Sequence, residues 1–148
     1  MATINNIRVD KMRYQQNKLA YWFVLLAMVS QIVSLFSTII PRTIVPTFST
    51  AMEILINITL LLLSFLAAEK VKAYSIKWAY GLFVIAFAHL LRIFYEPLKL
   101  FRLGQITAGH YFIIIDLIVG SIILLVIAAV ITMQKHRKLM SHLKELGE

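Results

Sequence analysis

The chain contains no cysteine, which removes disulfide exchange, thiolate nucleophiles and cysteine-based metal or haem sites from consideration. Glycine and proline are almost as scarce, with five and three in 148 residues. The sequence therefore has no Gly-rich phosphate cradle and no pair of Gly- or Pro-broken helices of the kind that builds many transporter sites. No HExxH, GxSxG, P-loop or GxGxxG pattern occurs, and the familiar signatures of metalloproteases, serine hydrolases, NTPases and dinucleotide enzymes are absent with them. The four histidines, His89, His110, His136 and His142, are scattered. Only His136 and His142 share a surface, and a spacing of six residues does not put both on one helical face, so neither a metal nor another cofactor is expected. Charged residues make up 15% of the chain, against roughly 25% in an ordinary soluble domain.

What the chain has in abundance is apolar surface, at 60% of residues against roughly 45–50% in soluble domains. It falls into four runs, at 19–40, 47–68, 78–95 and 111–133. Each reaches the roughly 17–25 residues needed to cross a bilayer, and each is apolar around most of its circumference, where a surface helix would keep a charged face. The fold class this implies is an all-α integral membrane protein, a single domain built as a four-transmembrane-helix bundle. The first run follows 18 largely polar residues, is too long for a signal-peptide core and lacks a small-residue cleavage motif, so it is expected to stay as an anchor.

The formal net charge of +8 is distributed beside the spans. Arg8, Lys11, Arg13 and Lys18 precede the first, Lys70, Lys72 and Lys77 lie between the second and third, and Lys135, Arg137, Lys138 and Lys144 follow the fourth. Arg42, Arg92, Lys99 and Arg102 fall towards the other side. By the positive-inside tendency both termini and the second loop face the cytoplasm, which suits the plasma membrane. Attraction to anionic lipid accounts for the basic tails, and nothing in them resembles a nucleic-acid-binding module.

The first connection is bounded by Pro41 and Pro46, so the first two spans should form a tight antiparallel hairpin. In the third connection, Glu96 to Gly104, a proline stands at a plausible first helical position and a glycine where a short helix could end. A short outer interfacial helix is expected there. The segment Met1 to Lys18 carries a weak amphipathic pattern. After Met133 strong helix formers continue, with Leu139, Leu143 and Leu146 at helical spacing; a basic cytoplasmic helical extension is expected, with Lys135, Arg137, Lys138, Leu139 and Leu143 available to lipid or a partner.

The intramembrane polar residues carry the sharpest inference. At 100° per residue, Thr50, Glu53, Asn57 and Ser64 share one face of the second helix, and Ser30, Gln31, Ser34, Ser37 and Thr38 one face of the first. Gly81, Ala88, His89, Arg92 and Glu96 share a face of the third, and Gly109, Asp116 and Gly120 a face of the fourth. Glu53, His89, Arg92 and Asp116 all fall in the outer half, which predicts a cluster of Arg92 with Glu53 and Asp116. Its excess negative charge would be cancelled by a protonated His89 or a neutral carboxylic acid. Three roles are open to these residues. They form an ion-pair and hydrogen-bond knot satisfied by Arg92, Asn57 and Gln31; or Glu53 or Asp116 is a proton or cation site with His89 as relay; or some of them face outward and pair with another subunit. Ser30, Ser34, Gly81 and Gly120 permit close helix approach within the chain or to a neighbour. No catalytic residues are expected. The leading expectation is a non-enzymatic accessory subunit of a larger membrane complex such as a transporter, in contact with membrane lipids and other integral membrane subunits. The alternative is an autonomous small homo-oligomeric transporter or channel using the embedded cluster.

Overall fold

A computed structural model describes residues 17–40 and 48–145. They form four helices, α1 (Lys18–Ile39), α2 (Phe48–Lys72), α3 (Ile76–Arg102) and α4 (Ala108–Glu145), each long and apolar enough to cross a membrane. The amphipathic pattern before the first span and the Pro41-to-Pro46 connection lie outside the described residues. α1 packs on α2 and α4, α3 packs on the same two helices, and the diagonal pairs touch little. The bundle is therefore a ring of four helices in which each has two neighbours.

Lipid tails are as apolar as leucine, so helix association in a membrane relies on close packing and buried polar contacts. Both are present. At one end Ala20, Val24 and Ala27 of α1, Ala67, Ala68 and Val71 of α2, Leu82, Ile85 and Ala86 of α3, and Leu125, Ala128 and Ala129 of α4 form one core cluster. Seven of its twelve members are alanines, which let the backbones approach. At the other end Leu100 of α3 meets Ile106, Ile114 and Ile118. Between these apolar ends lies a layer of buried polar side chains contributed by all four helices.

Two helix ends use the same device. Tyr74 follows α2 with φ 58°, and Gly104 follows α3 with φ 67°. In each case the next residue's N–H reaches back five positions, Ser75 to Lys70 O at 3.2 Å and Gln105 to Leu100 O at 3.0 Å, the hydrogen-bond pattern of a Schellman stop. Glycine takes this conformation freely. Tyrosine at position 74 is held there by burial, with the residue 8% exposed and its carbonyl accepting from His136 Nδ1 at 3.0 Å. That burial also raises the phenol above its ordinary pKa.

Three boundaries differ from the apolar runs. The turns expected to form a separate outer helix belong to α3, which continues through Pro97 to Arg102. Pro97 removes the hydrogen bond to the Ile93 carbonyl, but side chains on either side of it bind the segment down: Arg92 pairs with Glu96 within α3, Lys99 pairs with Glu53 of α2, and Leu100 enters the second core cluster. α4 has 38 residues, about 57 Å at 1.5 Å per residue, and extends well beyond a hydrocarbon layer of roughly 30 Å. Asn17, expected in a polar tail, is fully buried. Its N–H donates to Lys72 O at 2.9 Å, and its Nδ2 to Thr132 Oγ1 at 2.9 Å and Val71 O at 3.3 Å, joining the start of α1 to α2 and α4.

Candidate functional site

The middle layer is built by the polar faces that helical spacing assigns to α1, α2 and α3. Gln31 links three helices: its Nε2 donates to Ser121 Oγ of α4 at 3.0 Å, and its Oε1 accepts from Ser64 Oγ of α2 at 3.4 Å. Ser30 Oγ donates to the Leu117 carbonyl at 2.7 Å, fixing α1 and α4 in depth. Ser34 is buried and accepts from Arg92 Nη2 at 3.5 Å.

Towards the ends of α1 and α3 the layer becomes charged. Arg92 Nε lies 2.6 Å from Glu96 Oε2, one turn along α3, and both side chains are almost wholly buried. Asn57 Nδ2 donates to the Glu53 carbonyl at 3.0 Å and to the Glu96 carboxylate at 3.2–3.3 Å. Glu53 is paired with Lys99 Nζ at 2.8 Å, and the ammonium also binds Ser49 Oγ at 3.1 Å and stands 5.7 Å from the Tyr95 ring centre. Among the described residues two cations thus meet two carboxylates, and Arg92 is paired with Glu96, a residue from its own helix.

The expected cluster is therefore only partly assembled. Glu53, Asn57, Arg92 and Glu96 come together, whereas Asp116 does not join them: it is exposed on the outer surface of α4. Among the described residues it has no hydrogen bond or ion pair. The reason lies in α4's buried face, where Ile114, Ile118, Ser121 and Leu125 point inward, and residue 116 falls about 160° from residue 118. His89 is buried at 1% exposure, and neither ring nitrogen has a hydrogen-bond partner, so no hydrogen bond joins it to Glu53 or Asp116 as the expected relay. Lys99 falls in the segment expected to form the separate outer helix; its pairing with Glu53 becomes visible only once α3 is seen to continue past Pro97.

Among the described residues, Gly81 and Gly120 do not bring two helices together. A Cβ at Gly81 would meet only Trp78 of its own helix at 3.6 Å, and one at Gly120 would meet nothing within 4 Å. On the α4 extension Arg137 and Lys138 are exposed, and Lys135, Leu139 and Leu143 are half-buried. Among the described residues no three His, Asp or Glu side chains gather as a metal-binding group.

A lateral cavity of about 250 Å³ opens between α2 and α3 beside the charged layer. Its floor is Asn57, Leu60, Arg92 and Glu96, and its rim is made by the exposed side chains of Ile56, Leu91 and Tyr95. Comparison with known proteins places the chain in no family: no family model matches it, and no curated protein or solved structure does.

Removing one partner of a buried ion pair leaves a stranded charge, which costs about 3–5 kcal/mol, while replacing both by apolar residues is often neutral. Arg92→Met and Glu96→Leu are each expected to lower bundle stability by about that amount, and the double variant to recover most of the loss. Reversible unfolding in mixed micelles reads this directly; equal losses in the single and double variants would show that the pair is not the lock.

Proposed function

We propose that the chain is a non-enzymatic accessory subunit that stabilises or positions the working subunit of a larger membrane complex, such as a transporter. One observation carries this reading: a carboxylate without a partner among the described residues stands on the outer face of an apolar helix at mid-depth. The Ser30–Leu117 hydrogen bond sets that depth. Ser30 lies about 18 Å from one end of α1 and about 14 Å from the other at 1.5 Å per residue, and Asp116 adjoins residue 117. An aspartate at the centre of a spanning helix costs roughly 2.5–3.5 kcal/mol on insertion scales. A partner helix bearing Lys or Arg at the same depth offsets that cost.

The flanking positions suit such a helix. Gly109, Asp116 and Gly120 share one face of α4 (helical spacing), and among the described residues no atom beyond the adjoining backbone of α4 lies within 4 Å of where a Cβ on either glycine would stand. A second copy of this chain is a poor source of the cation, because Arg92 is buried on Glu96 and Lys99 is paired with Glu53. The same pairing weakens the alternative, an autonomous homo-oligomeric transporter or channel, since Glu53 and Glu96 already carry counter-charges. Positive-inside asymmetry supports a plasma-membrane location with both termini cytoplasmic, and the basic end of α4 then lies on the side of anionic lipid.

In protein extracted from its native membrane in mild detergent, Asp116→Leu is expected to reduce co-purification of a second integral membrane chain about tenfold or more, the loss of a buried charge pair, with the bundle's melting temperature unchanged. Undiminished recovery, or recovery of this chain alone from the unsubstituted protein, would sink the proposal. Orientation is checked separately: because the chain has no cysteine, Gln105→Cys should react with an impermeant maleimide on intact cells and Ala73→Cys only after permeabilisation. The reverse pattern would invert the topology.

A further inference from the structure

The last turns of α3 carry a groove that is separate from both the Asp116 face and the α2–α3 cavity. Because α3 continues through Pro97, Phe94, Leu98 and Arg102 fall on successive turns, with Tyr95 and Lys99 beside them. Together with Leu103 these side chains line a groove of about 360 Å³. Phe94 and Leu103 are 68% and 60% exposed, and in a spanning protein such a surface meets lipid.

The groove holds an unmatched cation. Lys99 is paired with Glu53 and also binds Ser49, whereas Arg102 is exposed and, among the described residues, has no hydrogen bond or ion pair. The carbonyls that close α3 do not engage its guanidinium, since those of Lys99, Leu100 and Phe101 accept from the N–H groups of Leu103, Gln105 and Gly104. A carboxylate's partners are donors, so any further partner of Glu53 leaves this positive excess in place or enlarges it. The stretches 40–47 and 97–115, which adjoin this end of the bundle, contain no acidic residue to offset it.

Depth decides which anion fits. The Arg92–Ser34 hydrogen bond makes those two residues level. Ser34 is about 6 Å from the mid-depth residue Ser30, and Arg102 is about 15 Å further along α3 than Arg92. Arg102 therefore stands about 20 Å from mid-depth and Phe94 about 9 Å at 1.5 Å per residue. Hydrocarbon ends roughly 15 Å from the bilayer centre and the headgroup layer roughly 20–22 Å from it. The guanidinium is thus at headgroup level while Phe94 lies within hydrocarbon. A free phosphate would satisfy the arginine and leave the apolar half of the groove empty; a phospholipid fills both. We infer that this groove binds an anionic glycerophospholipid, its phosphate accepting from the Arg102 guanidinium and its acyl chain lying along Leu98 and Phe94.

The test uses the full chain in phosphatidylcholine vesicles containing a trace of phosphatidylglycerol with a photoreactive diazirine in one acyl chain. Phosphatidylcholine bearing the same acyl chain is the control probe. The phosphatidylglycerol probe is expected to label peptides covering residues 94–103 about fivefold more than the control, the value of one basic residue beside anionic lipid. Arg102→Gln should bring that labelling down to the control level, and Arg102→Lys should keep most of it. Because Arg102 makes no contact on which the bundle depends, both variants should melt at the unchanged temperature, and labelling of the basic stretch 135–138 should be the same in Arg102→Gln as in the unsubstituted chain. Excess inorganic phosphate should not compete. Equal labelling of 94–103 by the two probes, or a preference that survives in Arg102→Gln, would overturn the proposal; so would competition by inorganic phosphate, in favour of a site for the free anion.

Discussion

An ionised side chain inside a bilayer needs a counter-charge or a set of hydrogen-bonding partners, and this constraint organises the whole bundle. The chain meets it within itself at Arg92–Glu96 and Lys99–Glu53, both bridged through Asn57 and the carbonyl of Glu53. These contacts tie α2 to α3, whose mutual packing is otherwise looser than that of the other neighbouring pairs. The lateral cavity follows from the same arrangement: helices held by charged contacts near one end and by alanines at the other remain apart between them. Elsewhere in the layer, uncharged hydrogen bonds from Ser30, Gln31 and Ser64 set the depth of α1 against α2 and α4.

Much of this is legible in the residues alone. Four apolar runs of spanning length identify the helices, because a bilayer leaves the chain little other choice. Helical spacing also identifies the polar faces of α1, α2 and α3, since a buried polar stripe in lipid must face another helix. What it does not reveal is the azimuth of α4. Gly109, Asp116 and Gly120 form a compact stripe, but α4 turns Ile114, Ile118 and Ser121 inward instead, and a helix with apolar residues on all sides gives no periodic signal to choose between them.

Other differences have equally local causes. Pro97 suggests a new helix, yet α3 runs on because ion pairs and Leu100 hold the segment on both sides of it. Asn17 looks like part of a polar tail, and its burial depends on a carbonyl at the end of α2 and a hydroxyl on α4, which are 54 and 115 residues away. Long-range contacts of this kind leave no trace in composition or spacing. The pairing of Glu53 with Lys99 was hidden for the same reason.

Asp116 is where the internal accounting of charge stops. Its carboxylate lies at mid-depth on a face that the described residues leave open, and the proposed role rests on another helix supplying the missing cation. The most direct measurement is to place a photoreactive amino acid at Val119, one turn along the same face, and irradiate cells containing the full-length chain. An adduct with a second membrane polypeptide, carrying Lys or Arg in a spanning helix, is the predicted result. Adducts with lipid alone, or only with another copy of this chain, would contradict it.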